Sequence, residues 1–408
     1  MRCRHCGADV SLPFIDLDTA PPSNSYLTAA QLAAPETWYP LRVLVCTNCW
    51  LVQTEDYAQP VSLFNDDYAY FSSYSSSWLR HAESYVAAVV DRFGLGSASH
   101  VVEVASNDGY LLQYVSRRGI PCLGIEPTAS TACAARNIGI EVVQDFFGVS
   151  LAESLVVAGR SADLTVANNV LAHVPGIDDF VAGFARILKP RGVATFEFPH
   201  LLRLVQETQF DTIYHEHFSY LSLTALKPIF DSNGLSLFDV EEIPTHGGSL
   251  RLYAQRSDHV SYTVTGAVSA MLERERIAGI LQVDYYRNFQ ARADRIKDDF
   301  VEFLIQAKRA NKRVGAYGAA AKGNTLLNYS GVRSDLLAWV VDRNPAKQGK
   351  YLPGSRIPVV GEDFLRRARP DYVLVLPWNL RAEITEQLAY IRAWGGQFVF
   401  ALPSLELQ

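Results

Sequence analysis

No run of apolar residues in this sequence approaches the roughly 20 that a membrane-spanning helix needs. Nor does an apolar stretch follow the charged opening Met1-Arg2-Cys3-Arg4-His5-Cys6. The first absence argues against a membrane partner and the second against a secretory signal, so a soluble, cytoplasmic chain is expected. A basic surplus is also missing: 37 lysines and arginines stand against 43 aspartates and glutamates, a net charge of −6. A phosphate backbone would meet no broadly basic surface, and nucleic acid is not an expected partner. The Gly-x-Gly-x-x-Gly fingerprint and the Walker spacing of glycine and lysine are absent as well, which weakens an NAD-dependent reading and removes a P-loop one.

What is present is the bulk and make-up of a multidomain globular protein. The 408 residues are 49% hydrophobic and 20% charged, enough for two or three domains of roughly 100 to 200 residues each. Four of the six cysteines form Cys3-x-x-Cys6 and Cys46-x-x-Cys49, two short knuckles that supply four thiolates to one tetrahedral zinc. With no open coordination position, such an ion folds the chain and does no chemistry. Cys122 and Cys133 sit in apolar company and read as core residues. Short strands are expected at 13–17 and 41–45 between the knuckles, closing a zinc-binding domain near residue 60. The aromatic, hydroxyl-rich stretch 64–78 that follows, with Tyr68, Tyr70 and Ser73, is either a linker or a loop that closes on a ligand.

Beyond a helix ending near Phe93-Gly94, strands and helices alternate. Strands are expected at 100–105, 122–125, 141–143, 163–167 and 193–198, which predicts a parallel doubly wound sheet binding ligands at the carboxyl ends of its strands. The turn Ser106-Asn107-Asp108-Gly109 follows the first strand, which carries Glu103. Glu126 closes the second, placed to accept ribose hydroxyls, and Asp145-Phe146 the third, placed to receive an adenine amine beside a stacking ring; Asn168 ends the fourth. This order resembles the class I S-adenosylmethionine-dependent methyltransferases, although the usual Gly-x-Gly turn keeps only Gly109.

The motif around which the chain is organised is Asp211-Thr-Ile-Tyr214-His215-Glu216-His217-Phe218-Ser-Tyr220, directly after the fifth strand. Two imidazoles, a carboxylate and two phenols within the seven positions 214–220, so near a core strand, are costly to hide and should face a cleft. As a metal pair, His-x-His lacks a third ligand at helical spacing. His215 is either a solvated neighbour or turned away from His217 by alternation, and His173, after an apolar run, is either a site residue or a core histidine. Thr245-His246-Gly247-Gly248 has the make-up of a tight turn that brings an imidazole to the cleft. A long helical stretch from about 267 to 311 then leads to Arg313-Val-Gly315-Ala-Tyr317-Gly318-Ala-Ala-Ala-Lys322-Gly323-Asn324 and further strands at 337–341, 372–376 and 397–401. This second strand-turn-helix is either a diphosphate site or a plain Rossmann turn with a solvated lysine.

Taken together, the four cysteines, the 107–109 turn, Glu126-Pro127, Asp145-Phe146-Phe147, Asn169-x-x-x-His173, Glu216-His217-Phe218, His246-Gly247-Gly248 and Gly315-x-x-Gly318-x-x-x-Lys322 resemble the sugar C-methyltransferases of deoxysugar biosynthesis. The resemblance implies an α/β protein of three parts: a zinc-binding domain (1–60), a class I methyltransferase domain with the active site (61–240), and a Rossmann-like domain for a nucleotide sugar (241–408). It implies S-adenosylmethionine as cofactor, structural zinc, and a dTDP-linked 4-keto deoxysugar as substrate. It further implies His217 as general base, with Tyr68, His173, Tyr214 and Glu216 in support. Glu103, Ser106, Asn107, Asp108, Gly109, Glu126, Asp145, Phe146 and Asn168 are expected at the cofactor, and Tyr70, Ser73, His246, Tyr317, Lys322 and Asn324 at the substrate. Chemistry gives the same set a reason: a proton beside a ketone needs a base near neutral pH and a donor for the enolate oxygen. Glu216 would hold either an imidazole or a sugar hydroxyl. The rivals are methylation on oxygen, an NAD-type sugar epimerase or dehydrogenase, and a zinc module whose methyltransferase sheet is silent.

Overall fold

The computed structural model describes residues 1–57 and 71–408; Tyr68 and Tyr70 lie outside the described residues. Three sheets account for its strands. β1 (Leu12–Ala20), β2 (Tyr39–Val45) and β3 (Val52–Thr54) form an antiparallel meander. The cysteine knuckles flank it, each closed by a backbone bond: Gly7 N–H to the Cys3 carbonyl at 3.1 Å, and Trp50 N–H to the Cys46 carbonyl at 2.8 Å.

The central sheet is preceded by helix Ser76–Phe93, which starts on the Ser75 hydroxyl as N-cap and stops at Gly94 with φ 61°, a conformation that costs glycine little. β4 (Val101–Val104), β5 (Cys122–Ile125), β6 (Val142–Val143), β7 (Ala162–Asn168) and β8 (Leu188–Pro199) pair in parallel. The chain then detours: β9 (Ser219–Tyr220) joins β3 as the fourth strand of the N-terminal sheet. It returns as β10 (Leu235–Ile243) and β11 (Ser249–Arg256), giving the order β10-β11-β8-β7-β4-β5-β6.

Two expectations change here. β11 runs antiparallel to both neighbours, because the short turn at 244–248 cannot carry the crossover that a parallel pair requires. For the same reason residues 241–256, expected to open the C-terminal part, complete the central sheet instead. Helix Gly266–Ala278 packs on β10 and on helix Leu223–Ser232. The single long helix expected over 267–311 is three: Gly266–Ala278 stops at Gly279 (φ 99°), and Val283–Arg287 precedes Phe289–Arg309. Cys133 is exposed on helix Ala129–Asn137 and not a core residue.

β12 (Val314–Tyr317), β13 (Val340–Val341), β14 (Val359–Val360), β15 (Tyr372–Val375) and β16 (Gln397–Phe400) form the C-terminal parallel sheet, edged by antiparallel β17 (Glu406–Leu407). Its order, β14-β13-β12-β15-β16-β17, reverses between β12 and β15. A doubly wound sheet opens its crevice at the carboxyl ends of two such strands.

The N-terminal and C-terminal sheets share one apolar core. Phe14 of β1 stacks on Phe289 at 4.3 Å and meets Tyr286 edge-on at 5.9 Å. Cys3, Cys46 and Leu51 at the knuckles join the core of the central sheet instead. The N-terminal sheet therefore bridges the other two. Phe14 is 2% exposed, and Phe14→Ala is expected to lower stability by about 3–5 kcal/mol in chemical denaturation.

Candidate active site

At the carboxyl ends of β4, β5 and β7 the structure gathers most of the residues expected at the cofactor. Glu103 is buried within β4; burial foremost, with the charges of Asp108 and Glu126 adding to it, holds its carboxyl well above the ordinary range. Asn107 takes φ 50° and Gly109 φ 79°. The Asn107 N–H donates to Glu126 Oε2 and the Thr128 N–H to Oε1, each at 2.9 Å. The carboxylate thus ties the first turn to the second. Gly124 is dictated by the same turn: a Cβ there would stand 2.4 Å from Ser106 Oγ. Over the turn lies the 71–74 segment. The Ser72 N–H donates to Asn107 Oδ1 at 2.9 Å, and the N–H of exposed Ser73 to Asp108 Oδ2 at 3.1 Å. Asp145 and Phe146 are exposed, with Phe146 showing 47% of its surface, while Phe147 turns inward onto Phe180 and Phe184.

Ser106 Oγ, Asp108 Oδ1 and both amide atoms of Asn168 are buried with no hydrogen-bond partner among the described residues. Unsatisfied polar atoms clustered at strand ends fit a polar ligand that completes their bonds. The acceptors suit a ribose and an amino group, the exposed Phe146 an adenine.

The segment that carries His217 is built by three parts of the chain. His217, 9% exposed, donates from Nδ1 to the Thr212 carbonyl at 2.8 Å and accepts at Nε2 from the Tyr214 hydroxyl at 2.8 Å. The proton therefore sits on Nδ1 and the lone pair on Nε2. Burial first, then the neighbouring His173 and Lys322, push its pKa well below 6.5. His173 comes from the loop after β7, with its ring 4.6 Å from that of His217, and donates from Nδ1 to the Glu216 carbonyl at 2.7 Å. Burial lowers its pKa to about 4. The N-terminal sheet grips from the other side: the Thr54 hydroxyl donates to the His217 carbonyl at 3.0 Å.

The Glu216 side chain meets Asn24 through one oxygen, while Oε2 is buried with no hydrogen-bond partner among the described residues. Its carboxylate, 1% exposed, accepts from both the backbone N–H and the side-chain amide of Asn24 at 3.1 Å; it is the backbone carbonyl that orients His173. His215 points away from His217, as alternation predicts, but is buried and not solvated, with Nε2 at 3.2 Å from the Pro40 carbonyl.

The crevice of the C-terminal sheet faces the same segment. Lys322 donates to Asn379 Oδ1 at 2.7 Å and lies 4.6 Å from the Trp378 ring centroid. Burial lowers its pKa against the opposing charge of Asp211, so it is not the solvated lysine of a plain turn. His246 stands edge-on to Trp78 at 5.0 Å in a left-handed turn (φ 56°), and burial, then Lys322, lower its pKa to about 4. Two expected substrate residues have protein partners. Tyr317 belongs to the C-terminal core, with its hydroxyl accepting from Gln387 at 2.6 Å. Asn324, fully buried, donates to the Ser23 carbonyl at 2.7 Å.

Several residues of the site were not singled out by sequence reasoning. Glu197 on β8 is fully buried and accepts from His81 (2.8 Å), Arg251 (2.9 Å) and Thr245 (3.0 Å), fastening the turn that carries His246. Burial works against its ionisation, but His81 and Arg251 prevail and lower its pKa. A glutamate inside an apolar strand run was the available signal. Nothing local marked Asn24 or Trp378.

The zinc ligands meet as the spacing required. The Sγ atoms of Cys3, Cys6, Cys46 and Cys49 all lie within 4.8 Å of one another, which suits a tetrahedral ion with bonds of about 2.3 Å.

Three family models match along the chain. One described as "C-methyltransferase C-terminal domain" matches residues 244–403, one described as "Methyltransferase domain" matches 78–240, and a zinc binding domain matches 3–64. The chain is 34% identical over 403 residues to C-methyltransferase NovU from Streptomyces niveus, covering 98% of this chain and 95% of that protein. It belongs to the C-methyltransferase family. A ubiquinone biosynthesis O-methyltransferase from Agrobacterium fabrum (strain C58 / ATCC 33970) is 29% identical over 116 residues, 26% of this chain and 45% of that protein. Among solved structures, magnesium protoporphyrin IX methyltransferase (ChlM) from Synechocystis PCC 6803 with bound SAH is similar at TM-score 0.35 and 16% identity, covering 44% of this chain and 83% of that one. This C-methyltransferase is S-adenosylmethionine-dependent, with a zinc-binding N-terminal domain. Asn168→Ala and Glu126→Ala are each expected to weaken S-adenosylmethionine binding about tenfold or more by calorimetry, since each removes bonding groups worth about 1–3 kcal/mol.

Proposed function

We propose that this C-methyltransferase methylates the carbon beside the ketone of a dTDP-linked 4-keto deoxysugar, with His217 removing the proton from that carbon. The observation that carries the base assignment is the pair of bonds on the imidazole: Nδ1–H to the Thr212 carbonyl and Nε2 accepting from Tyr214. The sugar nucleotide is what the family resemblance implies, and Lys322, a half-buried lysine at the C-terminal crevice near His217, supports an anionic substrate there.

The ketone oxygen is placed within reach of the Tyr214 hydroxyl. As that hydroxyl turns from Nε2 to the oxygen, Nε2 is released to accept the proton. The C–H bond breaks, its electron pair becomes the enolate, and His217 becomes an imidazolium. Two opposite charges form side by side in a site that excludes water, so each offsets the other's cost of burial. His173 lines the same space and stays neutral. S-adenosylmethionine, when bound, supplies the methyl group that the nucleophilic carbon takes from sulfur. His217 then returns its proton to solvent. Zinc has no part in these steps.

The test is deuterium uptake from solvent into a dTDP-4-keto-6-deoxy sugar, followed by mass spectrometry with S-adenosylhomocysteine bound. His217→Asn is expected to slow exchange by at least about 100-fold. Because the folded pKa lies below 6.5, the acid limb of exchange in the wild type is expected below pH 6.5. The stability linked to neutral His217 is present above pH 6.5 and is lost as pH falls from there towards the folded value. A wild type that binds the cofactor by calorimetry but exchanges nothing across a panel of 4-keto sugars overturns the reading in favour of methylation on oxygen.

A further inference from the structure

The tautomer of His217 depends on one carbonyl, that of Thr212, and the turn bearing this carbonyl is held from the C-terminal sheet. Trp378, just beyond β15, donates from Nε1 to Asp211 Oδ2 at 2.7 Å. Asp211 is 1% exposed, and its Oδ1 has no hydrogen-bond partner among the described residues. Asp211 belongs to the single turn Phe210–Thr212, and the next carbonyl along the chain is the one that receives His217 Nδ1–H.

The indole is itself confined. A Cβ on Gly247 would lie 2.5 Å from the Trp378 ring, so only glycine permits this approach, and the Lys322 ammonium sits over the ring. The turn is braced in a closed circuit: the Thr212 hydroxyl donates to the Gln209 carbonyl at 2.7 Å, and the Gln209 amide donates to the Gly247 carbonyl at 2.8 Å. The Thr325 hydroxyl, also from the C-terminal part, donates to the Ile213 carbonyl at 2.7 Å.

We propose that Trp378 and Asp211 are positioning residues for the base: acting through the Thr212 carbonyl, they hold His217 with its proton on Nδ1 and its lone pair at the substrate. The inference rests on His217 being the base. Imidazole tautomers are set by the bond that the other ring nitrogen makes. A carbonyl free to swing releases that preference and loosens the geometry of proton transfer. Asp211 is suited to the task because it is a charged acceptor for the indole N–H at neutral pH, burial raising its pKa only to about 6, and charge-assisted bonds are the more rigid ones.

The experiment uses full-length protein with 15N-labelled histidine, the His217 signals being assigned by their loss in His217→Asn. Trp378→Phe keeps a ring between Gly247 and Lys322 but removes the N–H. Its His217 nitrogens are expected to move from the values of a single Nδ1–H tautomer towards those of a mixture. Deuterium exchange into the 4-keto sugar should fall on the order of 10-fold, with S-adenosylmethionine affinity and melting temperature unchanged. Asp211→Ala should behave likewise, while Asp211→Asn, whose amide oxygen still accepts from the indole, should restore the tautomer and most of the exchange. Wild-type nitrogen shifts and exchange in Trp378→Phe overturn the proposal. So does a change of tautomer that comes only with lost cofactor binding and a lower melting temperature, which marks a folding contact. A wild type with a single tautomer but no exchange overturns the base reading, and the nitrogen shifts of Trp378→Phe still decide the positioning.

Discussion

Removing an imidazole from water favours its neutral form, and the site depends on that penalty being imposed on His217. An exposed histidine would share its time between charged and neutral forms and between two tautomers. Here burial keeps the ring uncharged, and the Thr212 carbonyl keeps the proton on one nitrogen. The remaining lone pair faces a phenol. A buried base is a weak one towards a neutral partner, but it gains strength as an opposite charge grows beside it, which is the demand made by enolate formation.

Such burial needs walls, and no single sheet supplies them. The segment from Gln209 to Tyr220 leaves the central sheet after β8 and lends a strand to the N-terminal one. Thr54 then holds the backbone of the base, Asn24 holds Glu216, and Trp378 holds Asp211. The zinc site enters this arrangement at a distance. An ion held by the four thiolates would fix the ends of the β1–β3 meander, the sheet on which His217 leans. At the strand ends of the central sheet the logic is reversed: Asn168, Ser106 and Asp108 retain buried polar atoms without partners among the described residues, a set that suits a polar ligand.

Legibility from sequence followed the range of the interactions. The knuckles, the βα alternation and the Gly94 stop are local, since each rests on spacing or backbone preference within a few residues. The cofactor cradle was readable because strand ends in a doubly wound sheet converge by construction. Reversal of β11 was missed because periodicity reports burial and not direction. The partners of Tyr317 and Asn324 were not legible because proximity to a Gly-rich turn says nothing about which face of β12 or of the following helix a side chain takes. The contact of the Glu216 carboxylate with Asn24 was illegible for a similar reason: the two lie 192 positions apart.

By itself the sequence determined the kinds of chemistry present: four thiolates for zinc, acids at successive strand ends for a nucleoside, and a histidine-rich motif after a buried strand. These follow from residue type and short spacing, which survive any later arrangement of the chain. Only the tertiary structure decided which histidines are buried, which nitrogen of His217 carries its proton, and which residues hold it there. Those properties come from burial and from hydrogen bonds between His217, Thr54, Asp211 and Trp378, groups that become neighbours only when the three sheets have closed on one segment.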